Sequence, residues 1–157
     1  MGEPGRKTVT ILMAEDDDTH AALVTKVLRK AGMDNPITRF RDGQEVLEFL
    51  EKINKDPALQ NETSYLLLLD IFMPRVDGVE VLRELKTDPI LKKIPVIMLT
   101  TSDDPYEIQH CYALGCNLFV HKPHDSEHFL EALNTLTQLI RILSVAPLGK
   151  GVLEETD

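Results

Sequence analysis

Long apolar runs, cysteines and basic residues are all scarce in this 157-residue sequence. The apolar stretch Val9 to Ala14, behind the basic pair Arg6-Lys7, is too short for a signal sequence or a membrane span. A cytoplasmic protein with no membrane contact is predicted. Cys111 and Cys116 are the only cysteines, and the four residues between them fit neither a zinc site nor a C-x-x-C redox pair. They read as small buried apolar residues. Lys and Arg number 17 against 26 Asp and Glu, a net charge of -9, which excludes non-specific nucleic-acid binding by phosphate neutralisation. There is no internal repeat and no low-complexity tract. With 43% hydrophobic and 27% charged residues, the composition is that of an ordinary globular chain with room for one core. The expected division is a tail over 1–7, a domain over 8–143 and a tail over 144–157.

Strand-like apolar runs alternate with amphipathic runs of helical period. The strands are expected at Thr8 to Ala14, Ile37 to Phe40, Tyr65 to Leu69, Ile94 to Leu99 and Asn117 to His121. Helices are expected at Thr19 to Lys30, from Asp42-Gly43 through Ile53, at Gly78 to Lys86, from Asp104-Pro105 to Leu114, and from Asp125 or Ser126 to about Leu143. The polar segment Asn54 to Ser64 reads as a long connection. Five strands alternating with five helices predict an α/β fold with a doubly wound, five-stranded parallel sheet, because parallel strands require crossover connections. The pattern does not fix the strand order.

Ligands in such sheets sit beyond the carboxyl ends of the strands. The first strand ends in Glu15-Asp16-Asp17-Asp18, the third in Asp70, the fourth in Thr100-Thr101-Ser102 and the fifth in His121-Lys122-Pro123. Asp70, closing the run Leu66 to Leu69, is by itself either a turn cap or an active group. Asp17 or Asp18 reads as a helix cap, whereas Glu15 and Asp16 lie nearest the crevice. Two carboxylates about 6 Å apart repel by roughly 3 kcal/mol at an effective dielectric near 20. Such a cluster calls for a cation, and an all-oxygen ligand set suits Mg2+, which favours one or two carboxylates plus a phosphate.

Met13-Ala14-Glu15-Asp16, Leu69-Asp70 with Met73-Pro74 and Asp77-Gly78, Thr100-Thr101 and Lys122-Pro123 together resemble the receiver domain of two-component response regulators, the group that includes the chemotaxis protein CheY. The resemblance runs from about residue 8 to residue 143. It implies that Asp70 accepts a phosphoryl group from a histidine kinase, and that Glu15, Asp16, Asp70 and the backbone carbonyl of Phe72 hold Mg2+. It further implies that Lys122 and Thr100 contact the phosphoryl oxygens. Thr100 and the aromatic Phe119 would act as a switch altering the face made by the last two helices and the fifth strand. In this family the Lys-Pro bond is typically cis. The protein would then store a phosphate rather than turn over a substrate.

Glu15 stands where many relatives have Asp, and Phe72 stands where some have a polar residue able to orient water, which implies slow self-dephosphorylation. The connection Asn54 to Ser64, the string Thr100 to Ile108, Cys111-Tyr112 with Gly115-Cys116-Asn117, and the helical extension to Leu143 resemble the subgroup that partners bacterial and cyanobacterial phytochromes. That likeness implies a phytochrome kinase as partner and a homodimer through the last helices and fifth strand. The expectation is a stand-alone regulator without an output domain, signalling by contact with a downstream protein the sequence does not identify. Two alternatives are a small haloacid-dehalogenase-like phosphatase, which would need an Asp at position 72, and a receiver-like module that is never phosphorylated. His20, His110, His121, His124 and His128 read as surface histidines, since no zinc set is completed by His124 and His128.

Overall fold

A computed structural model describes residues 9–142 and Leu148. Thr8, Leu143 and the two expected tails, Leu148 apart, lie outside the described residues. The elements are β1 (Val9–Ala14), α1 (Asp18–Lys30), β2 (Ile37–Phe40), α2 (Gly43–Lys55), α3 (Pro57–Glu62), β3 (Ser64–Leu69), α4 (Gly78–Thr87), a 3-10 turn (Leu91–Lys93), β4 (Val96–Thr100), α5 (Pro105–Leu114), β5 (Leu118–His121) and α6 (Ser126–Ile142). All strand pairs are parallel, in the order β2-β1-β3-β4-β5.

The sheet is covered on both faces, so its strands are apolar throughout while their side chains still alternate between two layers. Leu12, Ala14, Tyr65, Leu67, Leu69 and Met98 face a layer closed by α2, α4 and α5. Ile11, Met13, Leu66, Leu68, Ile97 and Leu99 face the other, closed by α1 and α6. Four consecutive leucines thus serve both layers.

The expectation of five helices is corrected to six α-helices among the described residues, because the segment Asn54 to Ser64 contains α3. Asp56 accepts a hydrogen bond from the Ala58 amide and Pro57 occupies the first helical turn, the same Asp-Pro signal that starts α5. Tyr65 ties the segment down by donating its hydroxyl to the Leu59 carbonyl at 3.2 Å. The fourth strand begins at Val96 rather than Ile94, since Ile94 still closes the 3-10 turn with its amide on Leu91. At the end of α1, Gly32 adopts φ 83° and passes its amide to Arg29, which ends the helix where the sequence places a cap.

Candidate functional site

The carboxyl ends of β1 and β3 are level, since Ala14 pairs with Leu69 and the Asp70 amide donates to the Ala14 carbonyl at 3.1 Å. Glu15 and Asp70 therefore leave the sheet side by side. The four-acid run divides here. Asp17 turns outward to cap α1, accepting from the amides of Thr19 (2.8 Å) and His20 (3.0 Å), and Asp18 pairs with Arg39 and Arg41. Glu15 stays buried and Asp16 is exposed at the pocket mouth.

Glu15, Asp16 and Asp70 each offer a carboxylate oxygen within 4.8 Å of the others, the one such cluster among the described residues. At that separation each pair of charges repels by about 3.5 kcal/mol at an effective dielectric near 20. Lys122 relieves part of this. Only 1% exposed, its Nζ donates to Glu15 Oε1 (2.5 Å) and Asp70 Oδ2 (3.3 Å) and lies 3.1 Å from His20 Nδ1. Burial pushes the Glu15 carboxyl up to about 7, against the downward pull of its hydrogen bond and charge pairing with Lys122. The Lys122 amide donates to the Thr100 carbonyl at 2.6 Å, which continues the β4–β5 pairing past the end of β5 and fixes the root of the side chain.

The loop after β3 is held close to the pocket. Phe72 donates its amide to Asp70 Oδ1 at 3.2 Å, while its side chain is 53% exposed. Gly78 opens α4 against Asp70, where a Cβ would stand 2.0 Å from the Asp70 carbonyl oxygen, so no other residue fits without moving the loop. Asp77 caps α4 by accepting from the Glu80 amide at 2.9 Å. The motif Asp77-Gly78 thereby packs α4 against the backbone of Asp70.

Thr100 ends β4 fully buried, and its hydroxyl has no hydrogen-bond partner among the described residues. A buried hydroxyl without a partner is costly, and such groups mark places where another acceptor belongs. Phe119 is half-buried and packs in the same layer as Met98, its neighbour across β4–β5. Its amide donates to the Tyr112 hydroxyl at 3.0 Å, tying β5 to α5.

The sequence-predicted residues Glu15, Asp16, Asp70 and Lys122 are thus brought together, the Thr100 backbone at the end of β4 is tied to Lys122, and Phe119 lies on β5 in the layer of Met98. Two expectations are corrected. There is no cis peptide bond among the described residues, so Lys122-Pro123 is trans, and the amine reaches the carboxylates through its own four-carbon stem. His20, read as a surface histidine, lies at the pocket wall against Lys122 and packs on Phe129 at a ring-centroid distance of 5.4 Å. Its signal was present in the sequence, three residues beyond the capping Asp17 in a first turn that must face the strand ends. The cysteines are both buried, as expected.

A doubly wound parallel sheet of order β2-β1-β3-β4-β5, with an acidic pocket and a buried lysine at its carboxyl rim, defines a CheY-like receiver fold. The profile of the response regulator receiver domain matches residues 11–134, and the chain belongs to that family. It is 34% identical over 122 residues to the response regulator Rcp1 of Synechocystis, covering 78% of this chain and 82% of that one. A receiver domain structure from Rhodospirillum rubrum superimposes with a TM-score of 0.82 at 38% identity, over 90% of this chain and 99% of that one. The phosphorylated cyanobacterial phytochrome response regulator RcpA gives 0.77 at 27% identity, over 88% and 98%. The Mn2+-bound form of Rcp1 gives 0.76 at 28%, over 87% and 98%.

Proposed function

We propose that Asp70 receives a phosphoryl group from a phosphohistidine on a sensor histidine kinase, and that the receiver, residues 8–143, then signals by protein contact. An Asp70 carboxylate oxygen attacks phosphorus, the P–N bond breaks as the P–O bond forms, and the imidazole, already protonated on its other ring nitrogen, leaves neutral with the P–N electron pair. The observation that carries this reading is the buried group Glu15, Asp70 and Lys122, with the unpartnered Thr100 hydroxyl at the end of the neighbouring strand. Phosphoryl transfer needs little acid or base, and mainly needs fixed positive charge and donors around the spreading phosphoryl charge.

Glu15, Asp16, Asp70 and the Phe72 carbonyl would hold Mg2+, a fit supported by the carboxylate oxygens of Glu15, Asp16 and Asp70 lying within 4.8 Å of one another. A bound Mg2+ supplies charge neutralisation at the phosphoryl oxygens. Lys122 shifts one N–H from Asp70 to a phosphoryl oxygen, and the Thr100 hydroxyl donates to another. That movement of Thr100 frees space on the face of the sheet that also carries Phe119, coupling the pocket to α5, β5 and α6.

The partner is proposed to be a phytochrome kinase, supported by the likeness to RcpA. A homodimer through α5, β5 and α6 is supported by the exposed Tyr106, Tyr112, Leu130 and Ile142 on those two helices. No helix among the described residues is long and apolar enough to cross a membrane; a cytoplasmic setting is proposed from membership of the receiver family. The protein is read as a phosphoacceptor, not an enzyme that turns over a substrate.

Incubation with acetyl phosphate and Mg2+, comparing wild type with Asp70→Asn, tests the reading. Stable one-to-one labelling lost in the variant is expected. Sustained release of phosphate would instead indicate a phosphatase, and no labelling an inert module.

A further inference from the structure

We infer that His20 is a positioning residue for phosphorylation: as a neutral acceptor it holds the Lys122 ammonium over the acceptor carboxylate, an inference that rests on the reading of Asp70 above. An ammonium has three N–H bonds. Around Lys122 Nζ stand three polar atoms, two carboxylate acceptors, Glu15 Oε1 and Asp70 Oδ2 at 3.3 Å, and His20 Nδ1 at 3.1 Å, which accepts when it carries no proton. At 1% exposure the lysine has no room to exchange one of them for bulk water.

The three contacts are not equivalent. The contact to Asp70 is the longest, and it is the one that must be given up when that oxygen attacks phosphorus. Glu15 and His20 then retain the ammonium while the freed N–H turns to a phosphoryl oxygen. A third carboxylate in place of His20 would hold the lysine as well but cancel charge that the phosphoryl group needs. A neutral imidazole holds it and leaves the charge available. Without any acceptor there, one N–H of a buried ammonium is unsatisfied, and the group moves toward the carboxylates and covers the Asp70 oxygen. A tilted ring contact with Phe129, at an interplanar angle of 58°, fixes the ring, and the location of His20 in the first turn of α1 makes its backbone rigid.

The alternative is that His20 merely fills space against Phe129, and two substitutions separate the roles with opposite outcomes. His20→Asn keeps an acceptor at the Nδ1 position but loses the ring; His20→Phe keeps the ring but removes the acceptor. If His20 positions Lys122, His20→Phe is labelled by acetyl phosphate about tenfold more slowly than wild type and His20→Asn is near normal. Normal labelling of His20→Phe, or an equal loss in both variants, would overturn the inference. A measurement on the unaltered protein keeps the test independent of variant folding. At about pH 8, where an ordinary imidazole is neutral, the ring nitrogen shifts of His20 must show Nδ1 unprotonated and Nε2 bearing the proton. A protonated Nδ1 would mean that it cannot accept from Lys122, which sinks the idea. If wild type itself takes no label, the reading of Asp70 fails first; if wild type is labelled and His20→Phe matches it, only the role of His20 fails.

Discussion

Replacing Thr100 by valine should stabilise the unphosphorylated protein and destabilise the phosphorylated one. The hydroxyl is fully buried and has no partner among the described residues, so no described protein group repays its desolvation. A buried hydroxyl left without a hydrogen bond costs about 1–3 kcal/mol in mutational data. Valine keeps the β-branched shape that suits the end of β4 and exchanges the hydroxyl for a methyl. Taking the lower end, Thr100→Val gains about 1 kcal/mol, or roughly 3 °C in Tm for a domain of this size. With beryllium trifluoride bound to Asp70 as a phosphoryl mimic, the hydroxyl would donate to a charged group, and its loss then costs about 1.5–3 kcal/mol. The assay is urea unfolding of both proteins with and without the mimic and Mg2+. A variant less stable than wild type in the unloaded state would refute the reasoning, because the hydroxyl would then already be satisfied. A gain of equal size in both states would show that Thr100 never meets the phosphoryl group.

Gly78→Ala should lose about 2 kcal/mol or more and weaken Mg2+ binding, since the new Cβ would meet the Asp70 carbonyl at 2.0 Å and the Ile71 Cα at 2.9 Å, both backbone atoms. Chemical denaturation and calorimetric Mg2+ titration read the two effects; an unchanged midpoint would count against the close approach. Glu15 titrates near 7 when folded against its usual 4.5, so its stabilising contribution is complete below about 4.5 and is lost as pH rises through about 7. The loss amounts to about 3–4 kcal/mol at roughly 1.4 kcal/mol per unit. Mg2+ needs the ionised form, so the rise in Tm on adding it should be larger at about pH 8 than at about pH 6, with proton release on binding. A rise that is the same at both values contradicts this account. Phe72 offers no group to orient water toward a phosphorylated Asp70, so the label should persist for minutes or longer and Phe72→Asn should shorten its lifetime several-fold. Decay of the wild-type label within seconds would be the contrary result.

Much of the fold was legible because hydrophobic period and cap residues are local. The run Leu66 to Leu69 announces a strand buried on both faces, and Asp42-Gly43, Asp77-Gly78 and Asp104-Pro105 announce helix starts that the structure places one residue after each Asp. α3 was missed although Asp56-Pro57 carries the same signal, because six residues with no buried side chain have no hydrophobic period to read. Similarly, Glu15, Asp16, Asp70, Thr100 and Lys122 could be nominated from their places at strand ends. His20 is placed near them by the first turn of α1, but its contacts with Lys122 and Phe129 depend on what β5 and α6 bring against it.

The sequence alone determined that strands and helices alternate, that the sheet is parallel and buried, and that acids, a hydroxyl and an amine end the strands. These follow from side-chain period and chain connectivity, which are properties of neighbours along the chain. Only the tertiary structure decided the order β2-β1-β3-β4-β5, the division of four adjacent acids between pocket and helix cap, and the enclosure of Lys122 by Glu15, His20 and Asp70. Lys122 lies 107 residues from Glu15 and 52 from Asp70 along the chain, so their hydrogen bonds exist only once β1, β3 and the end of β5 share one rim.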